Sequence, residues 1–254
     1  QQALELGADT FQFFTRNPRG GSAKALNLPD VKALIDFTHS HNFGPLIAHA
    51  PYTLNPSAAE PKTRNFALRT INDDLQRLSH FPGVLYNLHP GSHVGQGLEQ
   101  GLKLTADLIN QAITERTQVT VLLETMAGKG SEIGRTFGEL AAILSAIEAQ
   151  EKVGVCLDTC HVFDAGYDIK DDLDGVLEEF DRQIGLTRLK AIHVNDSLNA
   201  LGSHKDRHAK IGQGKIGLDS ILKIVHHPKL SSLPFVLETP NELPGYALEI
   251  KALR

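Results

Sequence analysis

Seven short apolar runs, separated by longer stretches of helical periodicity, are the feature that most restricts how this chain can fold. The runs are Thr10–Thr15, Pro45–His49, Val84–His89, Val119–Glu124, Val153–Asp158, Leu189–Val194 and Pro234–Glu238. Each is nearly continuous in Val, Ile, Leu and Phe rather than alternating, as expected for strands of a parallel sheet buried on both faces. Between them, Phe66, Ile71, Leu75 and Leu78 keep to one helical face, as do Leu140, Ile143, Leu144 and Ile147, and then Val176, Leu177 and Phe180. Strand and helix alternate with no Pro-, Gly- or Ser-rich linker and no break in composition, so the 254 residues read as one α/β domain, 1–254.

The opening residues Gln1–Gly7 read as the tail of a helix stopped by Gly7. A helix ahead of the first visible strand implies another strand upstream, so the expected architecture is a (β/α)8 TIM barrel whose first strand is missing from this chain. A doubly wound sheet fits less well, because no G-x-G-x-x-G follows any strand and no Walker motif occurs. No apolar run approaches the roughly 18 residues needed to span a bilayer, and no secretory signal opens the chain. Two cysteines, Cys156 and Cys160, make neither a disulfide framework nor a zinc knuckle, and a reduced, cytoplasmic setting is expected. A formal net charge of -5 argues against gripping nucleic acid by bulk positive charge.

Twelve histidines stand out, and they are spread along the chain. Six of the seven runs carry a histidine or a carboxylate at or next to their last residue: His49, His89, Glu124, Asp158, His193 and Glu238. In a barrel the carboxyl ends of the strands converge on one face, where active sites are built. Two further groups join them. Asp158-Thr159-Cys160-His161 sets a carboxylate and an imidazole three residues apart, and Asp206-Arg207-His208 aims both ligand types one way if that segment is extended. Five histidines and four carboxylates are too many for one ion and suit two or three zinc or manganese ions sharing bridging carboxylates. Without cations, four clustered carboxylates would repel severely. His39, His41, His80, His226 and His227 read as surface residues, His93 and His204 as neighbours of the site, and Cys156 and Cys160 as core packing.

At these residues the chain resembles the endonuclease IV family of apurinic/apyrimidinic endonucleases. The motifs are His89-Pro90-Gly91-Ser92-His93, Val155–His161, His193-Val194-Asn195-Asp196, Asp206-Arg207-His208 followed by Ile211–Gly214, and Leu237-Glu238-Thr239, and the similarity runs from about Ala8 to the C-terminus. The resemblance implies a TIM barrel with three zinc ions, cleavage of double-stranded DNA on the 5′ side of abasic sites, and removal of 3′-blocking groups. It implies that His49 and His89 hold one zinc and that Glu124, the catalytic carboxylate, bridges it to a second ion, held also by Asp158, His193 and Glu238. His161, Asp206 and His208 would hold the third. Tyr52 matches a tyrosine used at the damaged site, and Arg19 an arginine inserted into the DNA, here followed by Gly20-Gly21 where relatives can carry bulkier residues. Arg16, Arg64, Lys205 and Arg207 are further expected phosphate contacts, and the protein is expected to work as a monomer away from membranes.

The chemistry agrees with that count. Zinc lowers the pKa of bound water from 15.7 to about 7, giving hydroxide at neutral pH, and a third ion neutralises the leaving oxygen. Three divalent cations also bring positive charge to an acidic protein where DNA must bind. An abasic nucleotide has no base to unstack, so extruding it costs less than extruding an intact one. A sugar isomerase or epimerase of similar barrel fold needs only about four ligands and leaves Asp206 and His208 unexplained. A metal-free binding module leaves the whole set unexplained.

Overall fold

The computed structural model describes residues 1–254. They gather into two compact units, each assembled from separate stretches: residues 9–123 with 142–154, and residues 1–8 with 124–141 and 155–254. No helix is long and apolar enough to cross a membrane. All seven expected strands form, and every one lies inside the run that predicted it.

In the unit built around residues 9–123, β1 (Gln12–Phe14), β2 (Ile47–His49), β3 (Leu85–Leu88) and β4 (Thr120–Glu124) lie parallel in that order. The inner strands are buried as their unbroken apolar sequence requires, whereas the three residues of β1 are half-exposed because β1 is an edge strand. The helix Pro61–Leu78 starts where it does for two reasons: Pro61 already has a helical φ, and the Glu60 carboxylate accepts from the otherwise unpaired N–H groups of Lys62 (3.0 Å) and Thr63 (2.8 Å). It buries Ile71, Leu75 and Leu78 on the predicted face. The same face carries Asp74 into the core, where it accepts from Tyr86 Oη at 2.8 Å and Arg16 Nε at 2.9 Å. A buried carboxylate is tolerable only when paired in this way.

In the other unit, β5 (Val153–Asp158), β6 (Leu189–His193) and β9 (Phe235–Val236) are parallel, and a two-stranded antiparallel ribbon joins β7 (Asp196–Ser197) to β8 (His208–Ala209). Its core includes Phe137, stacked on Tyr167 at 3.9 Å and edge-on to Phe180 at 5.1 Å. The opening helix Gln2–Glu5 ends as the sequence indicates: Gly7 takes φ 82, and Ala8 N–H closes back on the Ala3 carbonyl at 2.9 Å.

One irregularity positions the site. The β5–β6 pairing advances by an extra residue between Val155 and Cys156, so Val155 faces Leu189 but Cys156 faces Ala191. Lys190, exposed, is the residue passed over. The bulge brings Asp158 opposite His193; a straight register would have set Asp158 against Ile192 and sent the imidazole elsewhere.

Candidate metal centre

Asp158 ends β5 and caps the next helix, Thr159–Ala165, accepting from His161 N at 2.9 Å. Its other oxygen accepts from Asn195 Nδ2 at 2.7 Å, and the Asn195 carbonyl oxygen Oδ1 accepts from the Glu238 main-chain N–H at 2.9 Å. Thr159 Oγ1 closes the frame by donating to the Asn195 main-chain oxygen at 2.6 Å. Thus Asn195 and Thr159, present in the motifs but without an assigned role from sequence, fix the placement of Asp158 and Glu238.

Around this frame Glu124, Asp158, His193 and Glu238 each direct one ligand-type atom into a space in which all four atoms lie within 4.8 Å of one another. His193 Nδ1 is 3.2 Å from Glu238 Oε2, 3.4 Å from Glu124 Oε1 and 3.8 Å from Asp158 Oδ2. His89 and Glu238, expected as strand termini, stand instead one and two residues beyond the ends of β3 and β9, because pairing stops before the chain turns away. Burial opposes the charge on His193, but Cys156, Glu238 and Glu124 outweigh it and hold the imidazole pKa well above its usual range. Cys156 is more than core packing: its thiol hydrogen-bonds His193, and burial pushes its pKa up to about 11. Cys160 is also buried, and burial beside Asp158 and Asp164 pushes its thiol far up, a poor setting for a thiolate ligand.

A second group lies alongside. His161 Nε2 is 3.1 Å from Asp206 Oδ1, and His208 Nε2 is 3.6 Å from the same oxygen and 3.7 Å from Asp158 Oδ2. His161 Nδ1 meets the Thr125 carbonyl at 2.9 Å, and His208 Nδ1 meets the Glu238 carbonyl at 3.2 Å. A carbonyl only accepts, so both Nδ1 atoms carry hydrogen and both Nε2 atoms are left to face Asp206. Burial works against the His161 imidazolium, but Asp158, Asp206 and Glu124 hold its pKa well above the ordinary range. The extended Asp206–His208 segment expected from sequence is corrected: Asp206 has φ 52, in the left-handed region, and only His208 lies in a strand. The convergence on one point survives because the turn at Asp206 replaces the alternation.

The donor set fits a divalent cation. His208 Nε2 is buried and has no hydrogen-bond partner, although two carboxylates lie just beyond hydrogen-bonding reach on either side. Such spacing is too long for a hydrogen bond and suits an ion seated between the groups, each at about 2 Å.

In the other unit, the His49 and His89 rings sit edge to face with centroids 5.1 Å apart, and Tyr52 lies 5.3 Å from the first and 6.0 Å from the second. His49 Nδ1 meets the Ala50 carbonyl at 2.6 Å, so Nδ1 carries the hydrogen. Tyr52 is 53% exposed, and Arg19, Lys205 and Arg207 are exposed as a DNA-facing role requires. Arg16 is a correction: it is buried against Asp73 and Asp74, with Nη1 on the Gly21 carbonyl at 2.7 Å, so its guanidinium is engaged within the fold rather than presented at the surface. Arg64 likewise spends Nη1 on the Ala58 and Ala59 carbonyls, at 2.6 and 2.9 Å. A side chain at Gly21 would run into Phe66, whose ring lies 2.6 Å from the position of a Cβ, which accounts for glycine there. His204 points Nδ1 at the Ala127 carbonyl, 2.8 Å away, and His93 is half-buried against Gly101. His39, His41, His80 and His226 are exposed, as read from sequence, and His227 pairs with Asp174 at 3.1 Å.

Comparison with known proteins agrees. The whole chain, residues 1–254, matches the family described as xylose isomerase-like TIM barrel. It is 57% identical over 254 residues to the "Probable endonuclease 4" of Clostridium beijerinckii, covering 100% of this chain and 92% of that protein. The protein of the same name from Methanosphaera stadtmanae is 56% identical over 253 residues, covering 100% and 92%. Among solved structures, endonuclease IV from Thermus thermophilus superposes with a TM-score of 0.87 at 33% identity, covering 100% of this chain and 90% of that one. A D-tagatose 3-epimerase-like protein shares the fold alone, with a TM-score of 0.74 at 19% identity over 97% of this chain and 87% of that one. By fold and by sequence, the chain belongs to the endonuclease IV family of TIM-barrel proteins.

Proposed function

We propose that this chain is a DNA-repair endonuclease that hydrolyses the phosphodiester on the 5′ side of abasic sites and also removes 3′-blocking groups. It acts as a cytoplasmic monomer on double-stranded DNA. Nine side chains would hold three divalent cations: His49, His89 and Glu124 for one, Glu124, Asp158, His193 and Glu238 for a second, and His161, Asp206 and His208 for the third. Zinc suits these nitrogen and oxygen donors, and manganese suits one or more of the positions. Cations bound there supply a water activated at neutral pH and positive charge opposite the developing negative charge of the phosphate.

The chain's own residues do the orienting. The N–H groups of His161 and His208 are committed to main-chain carbonyls, so neither ring can turn its Nε2 away from Asp206. Asp158 is held on both oxygens, and burial of Glu124 and His193 keeps bulk water from competing for their ligand atoms. Arg19, Tyr52 and Arg207 contact the DNA around the lesion, an abasic site being selected because it has no base to unstack.

The observation that carries the reading is the unpartnered, buried Nε2 of His208 facing Asp158 and Asp206. A sugar isomerase or epimerase would be served by Glu124, Asp158, His193 and Glu238 and would leave this second group surplus. The test is elemental analysis of the purified protein beside incision of an abasic duplex, with Glu124→Ala and His208→Ala as folded variants that lose incision. Near-normal incision by either overturns the three-ion assignment; about one metal per chain with no incision favours the isomerase.

A further inference from the structure

We propose that Asp164 is a positioning residue: one buried carboxylate that sets Asp206 directly and His208 through Ser197, from the helix that carries His161. This rests on the assignment of His161, Asp206 and His208 as ligands of one cation. Asp164 is fully buried on the helix Thr159–Ala165, three residues after His161 and so on the same helical face. Its Oδ2 accepts from the Asp206 main-chain N–H at 2.9 Å, and its Oδ1 accepts from Ser197 Oγ at 2.6 Å. Ser197 is the cross-strand partner of His208 in the β7–β8 ribbon. The main-chain carbonyl of Asp164 also accepts from His204 N at 2.9 Å.

These bonds hold an unfavourable backbone. His204 and Asp206 both have positive φ, 54 and 52, where a side chain crowds its own main chain. Such conformations persist only where the surroundings over-determine them. Here Asp164 takes the N–H of each residue, one with its carbonyl and one with its carboxylate. Released from that latch, the segment relaxes toward extended backbone, and the Asp206 carboxylate leaves its place 3.1 Å from His161 Nε2.

The test is a zinc titration of the metal-free protein against a chromophoric chelator, following each equivalent separately. Wild type, Asp164→Ala, Asp164→Asn, Ser197→Ala and His208→Ala are compared, with circular dichroism and melting temperature read on the metal-free forms. Asp164→Ala is expected to weaken one equivalent by about tenfold to hundredfold, as loss of a partner supporting a ligand does, and to leave the others unchanged. Asp164→Asn still offers an oxygen to the Asp206 N–H and is expected to restore most of the affinity. Ser197→Ala keeps the latch on Asp206 and is expected to weaken the same equivalent by less than tenfold and to spare the others, which keeps the proposal testable should the alanine variant not fold; no change in any equivalent in Ser197→Ala removes the route to His208. Wild-type affinity for every equivalent in Asp164→Ala overturns the proposal, as does equal weakening of all equivalents together with a lower melting temperature. Fewer than three equivalents in wild type, or no lost equivalent in His208→Ala, shows instead that the ligand assignment is wrong.

Discussion

Removing the Asp196 carboxylate should unfasten the loop that follows His208. Asp196 is fully buried and accepts from five main-chain N–H groups: Ser197 at 2.8 Å, Gly212 at 3.0 Å, Gly214 at 2.9 Å, Ile216 at 3.0 Å, and Gly217 at 3.3 Å to each oxygen. In Asp196→Ala, the donors of Ser197 and Ile216 lie in buried surroundings, and each orphaned buried N–H costs about 1–3 kcal/mol. The three glycine donors are half-open and find water, adding only a few tenths each. The sum is about 3–7 kcal/mol, which for a chain of this length lowers the melting temperature by roughly 6–28 °C. Thermal unfolding of the metal-free protein measures it without the contribution of bound ions, and amide exchange should show lost protection confined to Ser197 and residues 212–217. A melting temperature within about 2 °C of wild type, with those amides still protected, would refute the reasoning. Gly214→Ala should act in the same direction, since its Cβ would stand 2.3 Å from both Asp196 Oδ1 and the Ser197 carbonyl.

Two further outcomes are expected. The carboxylates hold the His161 and His193 pKa values above those of the unfolded chain, so the metal-free protein gains stability below about pH 6.5 and loses it as pH rises through the folded values. Zinc needs neutral imidazole, so its affinity should rise over the same interval with release of protons; a metal-free melting temperature that climbs with pH, or proton-independent zinc binding, contradicts this. Tyr86→Phe removes the donor at 2.8 Å from buried Asp74 and should cost about 1–3 kcal/mol in urea unfolding; a loss under about 0.5 kcal/mol would mean that Arg16 and Thr15 satisfy the carboxylate without it.

The strands and the convergence of most of the candidate ligand residues were legible because buried parallel strands are uniformly apolar, so a histidine or carboxylate at the end of one is conspicuous. What escaped depends on contacts that no local pattern encodes. Arg16 looked available for phosphate, yet Asp74, 58 residues away, claims it in the folded core. The left-handed turn at Asp206 has no glycine to announce it. Cys156 read as packing because its link to His193 crosses between neighbouring strands. The bulge between β5 and β6 did leave a trace: Lys190 is the one charged residue inside an otherwise apolar run, and it is the residue the pairing skips.

Four imidazoles, His49, His161, His204 and His208, take their bearings from the carbonyls of Ala50, Thr125, Ala127 and Glu238. Every amino acid brings the same carbonyl, so the aim of these rings is indifferent to which side chain occupies positions 50 and 127. Both alanines are buried, so packing restricts those positions on its own account, but the aim of the rings would be lost only if the backbone were rerouted. Natural variation in this part of the protein should therefore be poor in changes of loop length.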